Sequence, residues 1–216
     1  MSSRAAIDPH QWQMWLESGG DQLGLSLDKP KIERLRLFAL ELLEANQTFN
    51  LTSITDPYEI AIKLMLDSIY PGRFIPAGAR VLDLGTGAGF PGIPLKIAFP
   101  YLDCMLIDGR RKRINFLKYV IRQLGLSGIR AEHIRAEALA GREGNVYDAV
   151  VCRAVSSLEN LADLAAPLLK DGGVLVAMKG SGYVKEMGGR FFGRVAVHTY
   201  RLPFIGLDRS IVIVNF

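Results

Sequence analysis

Residues 81–92 read VLDLGTGAGFPG, and this stretch decides the fold. An apolar run, Val81 to Leu84, gives way to three alternating glycines, Gly85, Gly87 and Gly89, and prolines follow at Pro91 and Pro94. A strand that ends in a glycine-rich turn and then a helix is how α/β folds bring their backbone close to a nucleotide. A dinucleotide loop needs glycine at the sixth place of its motif, where this chain has Phe90. The two prolines also remove N–H donors from the start of the helix, where a pyrophosphate needs them most.

Outward from this loop, short apolar runs alternate with helical segments: RVLDLG, CMLID, RAEHI, YDAVVC and GVLVAMKG. That alternation predicts a parallel, doubly wound sheet. The last two runs, RVAVHTYRL and RSIVIVNF, are joined too closely for a helical crossover and are expected to form an antiparallel hairpin. Five parallel strands followed by such a hairpin resemble, by analogy of arrangement alone, the Rossmann-like fold of class I S-adenosylmethionine-dependent methyltransferases. Ahead of the sheet, Ile32, Leu35, Ala39 and Leu42 recur at helical spacing over Lys29 to about Glu44, with Asp28 as N-cap and Pro30 in the first turn. A second helix is expected from Pro57, capped by Asp56 with Glu59 returning to it, and ending near Pro71. Residues 1–70 therefore read as a helical extension packed on the core, and 71–216 as the methyltransferase domain.

S-adenosylmethionine suits a loop poor in anion-binding donors, because its amino-acid end is zwitterionic and its sulfonium is cationic. Asp83, just before the glycines, can face an ammonium, and Asp108, at the end of the second strand, can accept both ribose hydroxyls. An acid at the latter place also serves dinucleotide sites.

The 216 residues hold one substantial core rather than several domains. No apolar run is long enough to cross a bilayer, and the first residues, MSSRAAIDPHQ, lack the apolar centre of a signal peptide. A cytoplasmic protein with no membrane partner is expected. Cys104 and Cys152 lie in apolar strand-like runs, and His10, His133 and His198 are far apart, so no metal site is expected.

The segments NLTSI, DSI, VLDLGTGAGFPGIPL, IDGRRKRINFL, YDAVVCRA and MKG resemble, in order and spacing, the glucose-inhibited division protein B family, the bacterial ribosomal RNA small-subunit methyltransferases G. The likeness runs from about Asn46 to Gly180. It implies transfer of a methyl group from S-adenosylmethionine to N7 of a guanine in the 530-loop region of 16S ribosomal RNA, either naked or within an assembled small subunit. It also implies a cofactor pocket formed by Gly85 and Phe90, by Ala136 and Glu137 after the third strand, and by Arg153 after the fourth. Two positions depart from the family: Leu64 stands where a histidine is usual, and Gly109 where serine usually follows the second-strand acid.

Guanine N7 carries an in-plane lone pair and has no proton to lose, so alignment and charge placement suffice for its attack. The chain lacks an Asn-Pro-Pro-Tyr-like stretch for exocyclic amines and a Pro-Cys turn for attack on pyrimidines. Cys152 has no evident activating base and reads as core. Arg153, at the carboxyl edge of the sheet, reads as a clamp on the guanine edge, a phosphate or the cofactor carboxylate, against a surface ion pair. Asp67 shares a helix face with Ile60 and Leu64, which leaves internal pairing and substrate contact both open. Lys179 is a second basic group at that edge, for substrate contact or for the surface.

Arg110, Arg111, Lys112 and Arg113 crowd a helix start, opposing its dipole, and point to an RNA phosphate backbone or to a solvated face. Because N7 is hidden in the narrow groove of A-form RNA, the target base must be unpaired; Phe49, Tyr58, Phe90 and Tyr183 are the aromatic rings available for stacking. The competing readings are a methyltransferase of a small molecule or a protein, which needs no basic helix, and a non-catalytic nucleotide-binding module.

Overall fold

The computed structural model describes residues 7–153, 156–180 and 194–216. Tyr183, and most of the Gly180 to Gly193 stretch that reads as the longest piece without regular structure, lie outside the described residues.

Seven strands form one sheet in the order β3-β2-β1-β4-β5-β7-β6. They are β1 (Arg80–Leu84), β2 (Asp103–Ile107), β3 (Ile129–Glu132), β4 (Tyr147–Arg153), β5 (Leu169–Lys179), β6 (Val195–Arg201) and β7 (Asp208–Asn215). The first five are parallel, and β7 pairs antiparallel with both β5 and β6, as the short connection between the last two runs requires. The order reverses between β1 and β4, the place where open α/β sheets hold their ligands. The third strand begins earlier than RAEHI suggests and stops before His133, whose ring nitrogen meets the Gly109 carbonyl at 3.0 Å instead of continuing the ladder.

Ahead of the sheet stand α1 (Pro9–Gln22) and α2 (Lys29–Phe49). Asp28 caps α2 as expected, its carboxylate accepting from the Lys31 amide at 2.9 Å. The helix outruns its apolar stripe to Phe49, because nothing breaks it before Asn50 turns left-handed at φ 47°. Helix α1 is not foreseen from periodicity: its Gly19-Gly20 pair conceals it. The structure explains Gly19, since a Cβ there would sit 2.5 Å from a Leu66 methyl. Helix α3 is composite. It opens with an α-turn at Pro57–Glu59, widens to a π-helix over Ile60–Leu66, returns to α over Asp67–Ile69 and tightens to 3-10 over Tyr70–Phe74. Asp56 caps it, accepting from the Glu59 amide at 2.9 Å, but the Glu59 carboxylate pairs with Lys63.

The remaining helices, α4 (Gly92–Ala98), α5 (Arg111–Gln123), α6 (Ala136–Arg142) and α7 (Leu158–Ala165), follow β1 to β4 in turn. One apolar cluster joins Trp12, Leu35 and Ile69 of the early helices to Ile93, Leu117 and Val176, while a second, with Leu139, Tyr147 and Leu161, fills in around the other sheet residues. No helix among the described residues is long and apolar enough to cross a membrane.

Trp12 is fully buried and its indole N–H donates to the Ile32 carbonyl at 3.2 Å. Trp12→Ala should therefore cost about 3–5 kcal/mol in urea unfolding; a decrease below about 1 kcal/mol would detach α1 from the shared core.

Candidate active site

Strand register brings the chemistry to one edge. Leu84 lies opposite Ile107, Arg153 opposite Met178, and Lys179 opposite Ser210, so the glycine loop, Asp108, Arg153 and Lys179 all leave the carboxyl ends of the parallel strands together.

The loop is fastened from below by Asp83. One of its oxygens, Oδ2, accepts from the Thr86 hydroxyl at 2.6 Å and from the Gly92 amide at 2.8 Å. Asp83 is only 1% exposed, and its Oδ1 has no partner among the described residues. The expectation that Asp83 faces an ammonium directly gives way to a structural role, because the carboxylate points into the protein. Burial pushes its pKa up to about 7, against the lowering effect of the two hydrogen bonds and with a further rise from the Asp108 charge.

The loop's own donors are engaged as well. The amides of Gly85 and Thr86 donate to the Ile107 carbonyl, those of Gly89 and Phe90 to the Thr86 carbonyl, and that of Ile93 to Gly89. With Gly92 on Asp83 and no N–H at Pro91 or Pro94, the start of α4 has nothing to offer a pyrophosphate. Gly85, Gly87 and Gly89 all have positive φ, and a Cβ on Gly87 would meet nothing closer than the Arg113 guanidinium at 3.9 Å, so the loop surface is open to a ligand.

Asp108 is 6% exposed. It accepts from the Gly87 amide at 3.1 Å, the Arg110 amide at 2.8 Å and the Arg113 guanidinium at 3.0 Å. A carboxylate has about four acceptor sites, so room remains for a ribose hydroxyl, and more if Arg113 swings away. Arg113 is thus tied to the crevice and is set apart from its exposed neighbours Arg110, Arg111 and Lys112, which form no ion pair among the described residues. Ala136 is buried at the start of α6 and Glu137 beside it is exposed. Phe90 is buried and packs on Phe38 with ring centroids 5.2 Å apart, so it is no open stacking platform; Tyr58 is likewise packed against Trp15. Leu64, which replaces the usual histidine, is buried in the apolar cluster. Cys152 is fully buried and its thiol is pushed up to about 12 by burial, which leaves it inert.

Asp67 resolves toward internal pairing. It is 2% exposed at the end of the π-helical turn, and it binds the Tyr200 hydroxyl at 2.6 Å and the guanidinium groups of Arg153 and Arg209 at 3.4 Å each. Arg153 also donates to the Lys63 carbonyl at 2.7 Å. Lys179 donates to the Ser156 carbonyl at 2.5 Å. Among the described residues, Asp67, Arg153, Lys179 and Arg209 are the charged groups that line a pocket of about 200 Å³. Tyr200 and Arg209 carry no motif that singles them out in the sequence. Their signal is the hairpin register, which pairs them directly and brings both to the β5 edge.

A sequence model of the family described as rRNA small subunit methyltransferase G (GidB) matches residues 31–192. The chain belongs to this family. A ribosomal RNA small subunit methyltransferase G from Geobacter sp. (strain M21) is 39% identical over 207 residues, 93% of this chain and 95% of the relative. One from Bacillus cereus (strain ZK / E33L) is 36% identical over 216 residues, 95% of this chain and 89% of the relative. Among solved structures, a Corynebacterium glutamicum protein superposes with a TM-score of 0.57 at 17% identity, over 96% of this chain and 97% of that one. TYW2 from M. jannaschii in complex with AdoMet gives 0.55 at 14% identity, over 70% and 74%. These two show the fold, that of class I S-adenosylmethionine-dependent methyltransferases. As a member of its family, the protein is a methyltransferase of small-subunit ribosomal RNA that uses S-adenosylmethionine.

The raised pKa of Asp83 has a thermodynamic consequence. The folded protein holds this proton more tightly than the unfolded chain, so the stability it contributes is full below the ordinary carboxylate range and is lost as pH rises through about 7. Asp83→Asn keeps an acceptor for Gly92 without the charge. The ligand-free variant should show a flatter fall of melting temperature between pH 5 and 8 than the wild type, the two diverging by on the order of a few kcal/mol. Parallel profiles would contradict the assignment.

Proposed function

We propose that the protein methylates N7 of an unpaired guanine in the 530-loop region of 16S ribosomal RNA, in the cytoplasm, the RNA being naked or part of an assembled small subunit. The observation that carries the reading is family membership over most of the chain, joined to a switch-point crevice in which the amides of Gly85, Thr86, Gly89, Phe90, Gly92 and Ile93 are all taken by the protein itself. The crevice suits an adenosyl cofactor: Asp108 lies where a ribose is expected, and the loop surface at Gly87 is open.

When bound, S-adenosylmethionine supplies an electrophilic methyl group. The protein's own residues orient and exclude rather than move protons, because N7 attacks through a lone pair that carries no hydrogen. Asp67, with both oxygens engaged, holds Arg153 in place through an ion pair buried under the crevice. Arg153 and Arg209, with Lys179 beside them, then present guanidinium donors to the phosphate or O6 edge of the target nucleotide. The exposed Arg110, Arg111 and Lys112 attract the neighbouring phosphates.

Incubation with a radiolabelled methyl donor and small subunits from cells lacking the protein should place label on one guanine, released as 7-methylguanine. Label in protein or in no RNA would defeat the reading. In a separate experiment, replacing Arg110, Arg111 and Lys112 together by glutamine should lower the log–log salt slope of RNA binding by about 0.7 for each phosphate no longer neutralised. Arg113 is left intact because it pairs with Asp108. An unchanged slope in a folded variant would make these three side chains a solvated face.

A further inference from the structure

Between α2 and α5 lies a pocket of about 380 Å³ whose lining includes neither the glycine loop nor Asp108. Its walls are aromatic. Phe49, at the end of α2, and Tyr119, on α5, leave 49% and 40% of their surfaces exposed, and the buried Phe116 lines the pocket beside them. Exposed rings gathered round one concavity mark a binding surface rather than scattered surface hydrophobes.

Phe49 is held in place from beyond the helix end. The Asn46 side chain accepts from the Thr52 amide at 2.8 Å and donates to the Thr52 carbonyl at 3.0 Å, clamping the turn that follows Phe49. On α5, Lys112, Asn115, Tyr119 and Arg122 are spaced three or four residues apart and therefore share one face. Lys112 lines the pocket at one end of this stripe, and at the other the Arg122 guanidinium lies 6.0 Å from the Tyr119 ring centroid. Besides Lys112, the polar lining is Asn115 with two carboxylates, Glu41 and Glu44.

Flat π surfaces set between two cations are the elements with which proteins hold single-stranded nucleic acid, one for the base and the other for the flanking phosphates. Ionised carboxylates only accept hydrogen bonds, so the base edge they suit is one rich in donors, and guanine offers N1–H and an N2 amino group on a single edge. We infer that the α2–α5 pocket is a second base-binding site, which takes an unpaired guanine of the strand whose target base enters the crevice. This rests on the reading of the substrate as RNA. It adds a recognition element remote from the methyl-transfer chemistry.

The test is fluorescence anisotropy of the full chain with two labelled probes, a short oligouridine RNA carrying one guanosine and its all-uridine counterpart. The wild type should prefer the guanosine probe. Phe49→Ala should weaken that binding at least about fivefold while leaving the salt slope unchanged. Lys112→Gln should lower the slope by about 0.7. Glu44→Gln should narrow the gap between the two probes. S-adenosylhomocysteine affinity should be untouched by Phe49→Ala. If that variant, folded by its thermal transition, binds both probes as the wild type does, the base site is wrong. If in addition its methylation of assembled small subunits falls, the pocket holds a ribosomal protein instead. Failure of the wild type to methylate RNA would sink the functional reading itself, whereas intact methylation with wild-type RNA affinity in Phe49→Ala sinks only this pocket.

Discussion

A single carboxylate, Asp83, ties the end of the first strand to both sides of the glycine loop, through the Thr86 hydroxyl and the Gly92 amide. Its burial disfavours the charge, as its raised pKa records, and the two hydrogen bonds only partly offset that cost. What the arrangement secures is the shape of the loop. Once Gly92 donates to Asp83 and Ile93 to the Gly89 carbonyl, the start of α4 cannot serve as an anion cradle. The choice of cofactor class thus follows from where the N–H groups point, and the prolines reinforce it.

The far side of the crevice depends on a different joint. Asp67 gathers Arg153 from β4, Arg209 from β7 and Tyr200 from β6 against the π-helical turn of α3. Four segments distant in sequence are thereby locked at one sheet edge. The wider π-turn changes the phase of the helix just before Asp67, and such turns recur at functional sites. A buried carboxylate between two guanidinium groups is stable only as a complete set, since removing one partner leaves a buried charge unpaired.

Much of this was legible in the residues. The five parallel strands, the hairpin, the Asp28 and Asp56 caps and the place of Arg153 and Lys179 follow from periodicity and turn chemistry, which are local. Helix α1 was not, because Gly19 is dictated by a tertiary contact with Leu66 and Gly20 by the close approach of the Leu25 carbonyl. Nor was the inward turn of Asp83, for the spacing of an acid before a glycine loop says nothing about which way it points. Arg113 stands in one basic run with its neighbours, and only the fold separates it from them by closing it onto Asp108. Tyr200 and Arg209 acquire meaning only through the register of β6 with β7.

With the amides at the start of α4 taken inside the protein, the crevice is a site for S-adenosylmethionine and not for a dinucleotide. Titration calorimetry of the ligand-free protein with S-adenosylmethionine, S-adenosylhomocysteine and NAD in turn tests it most directly. Saturable binding of the first two and none of NAD is expected; binding of NAD as tight as that of S-adenosylmethionine would show that the loop does hold a pyrophosphate.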